Sequence, residues 1–119
     1  MPTNQVIGLL GETLAADYLK EKGYTILERN ARTPYGEIDL VACYESTIVF
    51  IEVKTRTSTR FGNPEDSITP SKRGHLIASI QAYLQSHPEL TGDWRIDVIA
   101  IQKTGSPDTA ITHFENAIS

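Results

Sequence analysis

Two neighbouring runs, GEIDLVA from Gly36 and IEVKTR from Ile51, place charged residues between apolar ones at alternate positions. Period-two alternation belongs to a strand with two unlike faces, and it narrows what this chain can fold into. In the second run Glu52, Lys54 and Arg56 share one face, and Ile51, Val53 and Thr55 share the other. Reading Tyr44-Glu45-Ser46-Thr47 as a four-residue hairpin loop pairs Cys43 with Ile48. Counting outward then sets Asp39 opposite Glu52 and Glu37 opposite Lys54. Opposed carboxylates repel unless a cation lies between them, and a hard divalent ion such as Mg²⁺ favours one or two carboxylates plus waters and substrate phosphate. The same register admits a plainer outcome, in which Glu37 and Lys54 form a cross-strand ion pair and the two acids lie at a solvated edge. A one-residue slip would turn the face over.

The 119 residues contain no Pro/Gly/Ser-rich divider, so one domain spanning 1–119 with one core is expected. The lone cysteine, Cys43, cannot form an internal disulfide and no Cys/His spacing suits zinc; this fits a reducing cytoplasm, with Cys43 in the core. The opening segment, MPTNQVIGLLGETLAADYLKEKG, has no basic leader and is interrupted by Glu12 and Asp17, which reads as neither signal peptide nor membrane span. A net charge of −4 argues against a protein that coats nucleic acid by bulk electrostatics. Any such contact must be local. Between Lys54 and Arg73 stand Lys54, Arg56, Arg60, Lys72 and Arg73 against only Glu65 and Asp66, a cationic zone beside the acids that can equally be a solvated surface.

Along the chain, Ile7, Leu10, Leu14 and Tyr18 predict a helix from Asn4 to Lys22, stopped by Gly23. Glu12 is flanked one turn away by Gly8, Ala15 and Ala16, small residues that allow close approach to a sheet, so its carboxylate points either inward or to solvent. Strands are predicted over Tyr24 to Arg32, Glu37 to Cys43, and Ile48 to Arg56, with a long loop from Thr57 to Thr69. Thr69-Pro70 starts a second helix whose apolar stripe is Leu76, Ile77, Ile80, Tyr83 and Leu84, ending before Pro88. Lys72 and Arg73 lie at that helix N-terminus, where the macrodipole disfavours positive charge; a phosphate, a carboxylate or water would satisfy them. Trp94 to Gln102 predicts a fourth strand, on which Arg95 and Asp97 share a face and can pair, and Ala110 to Ile118 a weak fifth.

These segments closely resemble the YraN-like family of small bacterial proteins, members of the restriction-endonuclease-like PD-(D/E)XK superfamily that also holds archaeal Holliday-junction resolvases. The resemblance runs through GLLGETLAADYL, GYTILERN, GEIDLVA, IEVKTR, FGNPEDSITPSKR and WRIDVIAI, nearly the whole chain. It implies an α/β fold with an α-β-β-β-α-β core, a mixed sheet flanked by helices. It also implies that Asp39 is the metal-binding aspartate, Glu52 the second acid, Lys54 the catalytic lysine, Glu12 the helix-one acid and Lys72 a cation on the later helix. The residue before Asp39 is Ile38 where proline is common in the superfamily.

The expected activity is metal-dependent endonucleolytic hydrolysis of DNA, on duplex or branched substrates. Asp39 and Glu52, with the Val53 carbonyl, would hold Mg²⁺ or Mn²⁺, which acidifies a bound water and neutralises phosphate oxygens. Lys54 would orient that water or stabilise the pentacovalent phosphorus, and Arg56, Lys72 and Arg73 would seat flanking phosphates without reading sequence. Junction cutting would call for a symmetric homodimer. The alternatives are a non-catalytic nucleic-acid-binding or interaction module on the same fold, or a regulatory protein.

Overall fold

The computed structural model describes residues 4–56, 69–103 and 109–118, with side chains described from residue 10 onward and excluding those of Arg56 and Lys103. The element order is α1 (Asn4–Glu21), β1 (Thr25–Thr33), β2 (Gly36–Tyr44), β3 (Thr47–Arg56), α2 (Pro70–Ser86), β4 (Trp94–Lys103) and β5 (Thr109–Ile118). The strands form one sheet in the order β1-β2-β3-β4-β5, antiparallel except for the parallel pair β3/β4 that α2 connects. This is the expected α/β architecture, with the weak fifth strand present in full. The predicted loop from Thr57 lies outside the described residues up to position 68.

The hairpin between β2 and β3 is tighter than predicted. Tyr44 pairs with Thr47, leaving Glu45 and Ser46 as the turn, with Glu45 at φ 55. A two-residue turn of this kind requires such left-handed backbone. Cys43 still pairs with Ile48, so the predicted register stands. Cys43 is only half-buried, its thiol directed at the Glu45 carbonyl, and not a core residue as expected.

Strand alternation feeds two cores. Leu40, Ala42, Val49, Ile51, Ile99 and Ile101 pack with Ala15, Ala16 and Leu19 of α1 on one face. On the other, Val41, Ile48, Phe50, Ile96 and Val98 pack with Ile80 and Tyr83 of α2. Phe50 is fully buried, edge-on to both Tyr83 and Trp94. Burial of such a ring contributes about 1.5–3 kcal/mol, which makes it one of the anchors of α2. Helix α2 begins as its sequence indicates, with Thr69 Oγ1 accepting the Lys72 N–H at 3.2 Å and Pro70 in the first turn.

Helix α1 lies close over β3 at Gly11, where a Cβ would collide with the Thr55 hydroxyl. This contact sets Glu12 at the sheet. Gly11→Val is expected to destabilise by about 1–3 kcal/mol through overpacking. Gly74→Ala in α2, where an added Cβ meets nothing within 4 Å, should instead stabilise by about 0.5–1 kcal/mol. Urea unfolding of the two variants measures both.

Candidate metal and phosphate site

The site forms where the sheet is interrupted. Leu40 belongs to the α1-side core and Ile38 to the α2-side core, although residues two apart in a regular strand face the same way. The slip falls on Asp39, and on the neighbouring strand Asn30, lying between the pairs Arg29↔Leu40 and Ala31↔Ile38, adopts φ 52. The β2/β3 ladder is recorded only as far as Leu40↔Ile51, one pair short of the predicted Asp39/Glu52 position. Across the opening, Asp39 Oδ2 accepts the Val53 backbone N–H at 2.8 Å. In an extended residue the N–H and C=O project to the same edge, so the Val53 carbonyl faces this opening too. Irregularities of this type re-aim side chains beside functional sites.

Glu52 and Lys54 lie on the α2 side of β3, as alternation requires, with Lys54 Nζ 3.2 Å from Glu52 Oε1. The plainer pairing of Lys54 with Glu37 gives way to this contact with Glu52. From the other face, Glu12 reaches the same region. Among the described residues its Oε2 is buried without a hydrogen-bond partner. Burial raises the Glu12 carboxyl above its ordinary range against a hydrogen bond with Asn30 and the charge of Arg29, with Glu37 and Glu52 adding to the rise. Arg29 is itself anchored on α1, donating to Thr13 Oγ1 at 2.9 Å.

Asp39 shows the cost of this crowding. Burial first, then the Glu52 charge and more weakly Glu12, raise its carboxyl from 3.8 to about 7, against the Val53 N–H and Lys54. Asp97 on β4 is buried too, with no exposed surface, yet its carboxyl lies below its ordinary range. The difference is in the partners. Asp97 receives Arg95 Nε at 3.0 Å, the His113 imidazole at 2.7 Å and the Asn116 N–H at 2.9 Å, whereas Asp39 faces two acids with one lysine nearby. Arg95 pairs with Asp97 as expected and also donates to the Tyr24 hydroxyl at 2.9 Å.

A cleft of about 260 Å³ opens in front of Glu52 and Lys54, bounded by Lys72, His75 and Ser79 of α2 and by Tyr35 and Glu37 at the start of β2. Asp39 and Glu12 are not among its lining residues. Lys72 lies on the cleft, while Arg73, next in sequence, is exposed in the first turn of α2 and absent from its lining. Arg56 ends β3 opposite Gln102. Tyr35, His75 and Asn30 were not singled out from sequence; His75 lies three residues after Lys72 and Ser79 seven, a helical spacing that marks them as one face.

A hard divalent ion takes oxygen donors. Asp39, Glu52, Glu12 and the Val53 carbonyl offer only oxygen, and the orphaned Glu12 Oε2 and the proton-holding Asp39 are both relieved by a cation. Among the described residues no three His, Cys, Asp or Glu side chains stand close enough together to hold a metal ion, so at most two of these carboxylates would bind one, with waters or phosphate supplying the other ligands.

Because Asp39 holds its proton to about pH 7 in the fold and to about 3.8 when unfolded, its contribution to stability is complete below pH 4 and lost as pH rises through 7. Without metal, Asp39→Asn should therefore stabilise at pH 8, by on the order of 1 kcal/mol or more, and change little at pH 4. Asp97→Asn should destabilise at pH 8 by about 1–3 kcal/mol, since it removes the buried charged acceptor shared by Arg95, His113 and the Asn116 N–H. Denaturant titrations at the two pH values test the opposite signs.

Comparison with known proteins gives the family of the chain. The model of Uncharacterised protein family UPF0102 matches residues 11–101. A UPF0102 protein of Syntrophomonas wolfei is 53% identical over 98 residues, 82% of this chain and 85% of that protein. Another, from Alkaliphilus oremlandii, is 46% identical over 116 residues, 96% of this chain and 98% of its own. The matched stretch takes in Glu12, Asp39, Glu52, Lys54 and Lys72, and the chain belongs to the UPF0102 (YraN-like) family, within the restriction-endonuclease-like superfamily.

Proposed function

We propose that this protein is a metal-dependent endonuclease that hydrolyses DNA phosphodiester bonds. The observation that carries the reading is Asp39: a carboxyl sunk into an interrupted ladder, raised to about 7 by burial and by Glu52, with a lysine 3.2 Å from that second acid and a cleft lined by Glu52 and Lys54. A purely structural aspartate has no reason to be placed next to two other acids. Perturbed acids in a cleft are markers of functional sites.

Asp39, Glu52 and the Val53 carbonyl would hold Mg²⁺ or Mn²⁺, with Glu12 contributing through water. When bound, the ion acidifies a water and offsets charge on the phosphate. Lys54 Nζ, beside Glu52 Oε1, would donate to the attacking water or to the phosphate oxygen whose charge grows as the new P–O bond forms and a bridging P–O bond breaks. Lys72, on the cleft wall, would neutralise a flanking phosphate, and Arg56 and Arg73 would extend this contact along the strand; such contacts position DNA and read no sequence. Action on branched DNA would need two copies of the site. The competing reading, a binding module without catalysis, draws on the ion pair that already neutralises Glu52 through Lys54.

Two experiments separate these readings. Mn²⁺ should raise the melting temperature with metal concentration, approaching about 2.7 kcal/mol of added stability at 100 times Kd. The Asp39→Asn/Glu52→Gln double variant should show no such rise, and an equal rise in that variant would remove both residues from the metal site. Lys54→Ala should lower the rate of DNA cleavage on the order of 100-fold or more while DNA affinity and the melting temperature stay near wild type. A variant that unfolds instead would mark Lys54 as a structural partner of Glu52.

A further inference from the structure

Tyr35 is the most exposed large apolar side chain among the described residues, at 57%. Each of the other four tyrosines has a ring contact: Tyr18 with His113, Tyr24 with Tyr44, and Tyr83 with Phe50 and His87. Tyr35 has none. Its backbone, by contrast, is tightly held. Thr33 Oγ1 accepts the Tyr35 N–H at 3.1 Å and donates to the Gly36 carbonyl at 2.8 Å. Gly36 adopts φ 143, and the Ser79 hydroxyl of α2 lies 3.3 Å from where a Cβ would stand. An aromatic ring is therefore presented to solvent on a fixed mount.

The ring also stands between two grooves. On one side is the cleft with Glu52, Lys54 and Lys72. On the other, a second groove of about 260 Å³ is lined by Tyr35 with Ala78, Gln81, Ala82 and Gln85. These four repeat at three- and four-residue spacing, so they form one face of α2, alternately small and amide-bearing. The chemistry changes across Tyr35. The first groove carries the charges that a phosphate and its counterion require, and the second carries no charge. Neutral amides, which both donate and accept, over small residues suit base edges, which hydrogen-bond and stack.

We infer that Tyr35 is a base-stacking platform and that the Ala78/Gln81/Ala82/Gln85 groove receives an unpaired stretch of the DNA strand whose phosphate occupies the neighbouring cleft. This rests on the nuclease reading above and narrows its substrate to DNA with unpaired bases beside the phosphate to be cut. A paired base is stacked inside a duplex and cannot lie flat on Tyr35. Gln81 and Gln85 act on the base beyond the ring, as positioning residues.

The test is fluorescence anisotropy with a labelled oligo-dT strand and a blunt duplex of equal length, in Ca²⁺, on wild type, Tyr35→Ala, Tyr35→Phe and Gln81→Ala/Gln85→Ala. Tyr35→Ala should weaken oligo-dT binding roughly 5- to 100-fold, as loss of one stacked base does, and leave duplex binding within about 2-fold. Tyr35→Phe keeps the π-face and should bind as wild type, and the double glutamine variant should weaken oligo-dT alone. Oligo-dT affinity unchanged in Tyr35→Ala, or an equal loss for both DNAs, overturns the inference while the nuclease reading stands on Lys54. A wild type that binds neither DNA at low salt overturns both.

Discussion

A β-ladder that stops leaves backbone N–H groups without partners, and in this sheet two interruptions are closed by an aspartate. Asp39 Oδ2 takes the Val53 N–H at 2.8 Å, and Asp97 Oδ1 takes the Asn116 N–H at 2.9 Å. An unsatisfied buried donor costs about 1–3 kcal/mol, so each carboxylate is bound into the architecture before any other role. The surroundings then separate the two. Arg95 and His113 balance Asp97, and the interruption at β4/β5 becomes a closed polar knot with Tyr24. Asp39 has acids for company, so the same backbone device leaves an excess of negative charge in the sheet.

That excess explains the arrangement around it. Central strand β3 changes character at Ile51: before it, Ile48, Val49, Phe50 and Ile51 fill both cores, and after it Glu52 and Lys54 face a cleft. Helix α2 serves both halves of the strand. Its Ile80 and Tyr83 complete the core over Phe50, while Lys72, His75 and Ser79, nearer its N-terminus, wall the cleft. Core packing on one end of α2 thus holds the chemistry on the other at fixed distance. Helix α1 does the same from the opposite face, where Gly11 over Thr55 brings a buried carboxylate oxygen of Glu12 to the sheet.

Much of this was legible locally. The Cys43/Ile48 register followed from turn residues between alternating runs, and the start of α2 from Thr69-Pro70, because both signals are short-range and steric. The hairpin was two residues shorter at its loop than its polar composition suggested, since Tyr44 and Thr47 pair despite flanking a turn. Lys72 on the cleft and Arg73 off it could not be separated, because adjacent helix residues point about 100° apart and only the docking of α2 decides which faces the sheet.

The sequence by itself determined the order of elements, the two-faced strands and the company of Asp39, Glu52 and Lys54, because these depend on periodicities and spacings within one or two neighbouring segments. Only the tertiary structure decided that β2 slips at Asp39, that Asn30 adopts φ 52 beside it, that His113 from β5 neutralises Asp97, and that Tyr35 stands between two grooves. Each of these joins residues from different elements. Their energies come from desolvation and from contacts between distant segments, and no local pattern in the chain carries that information.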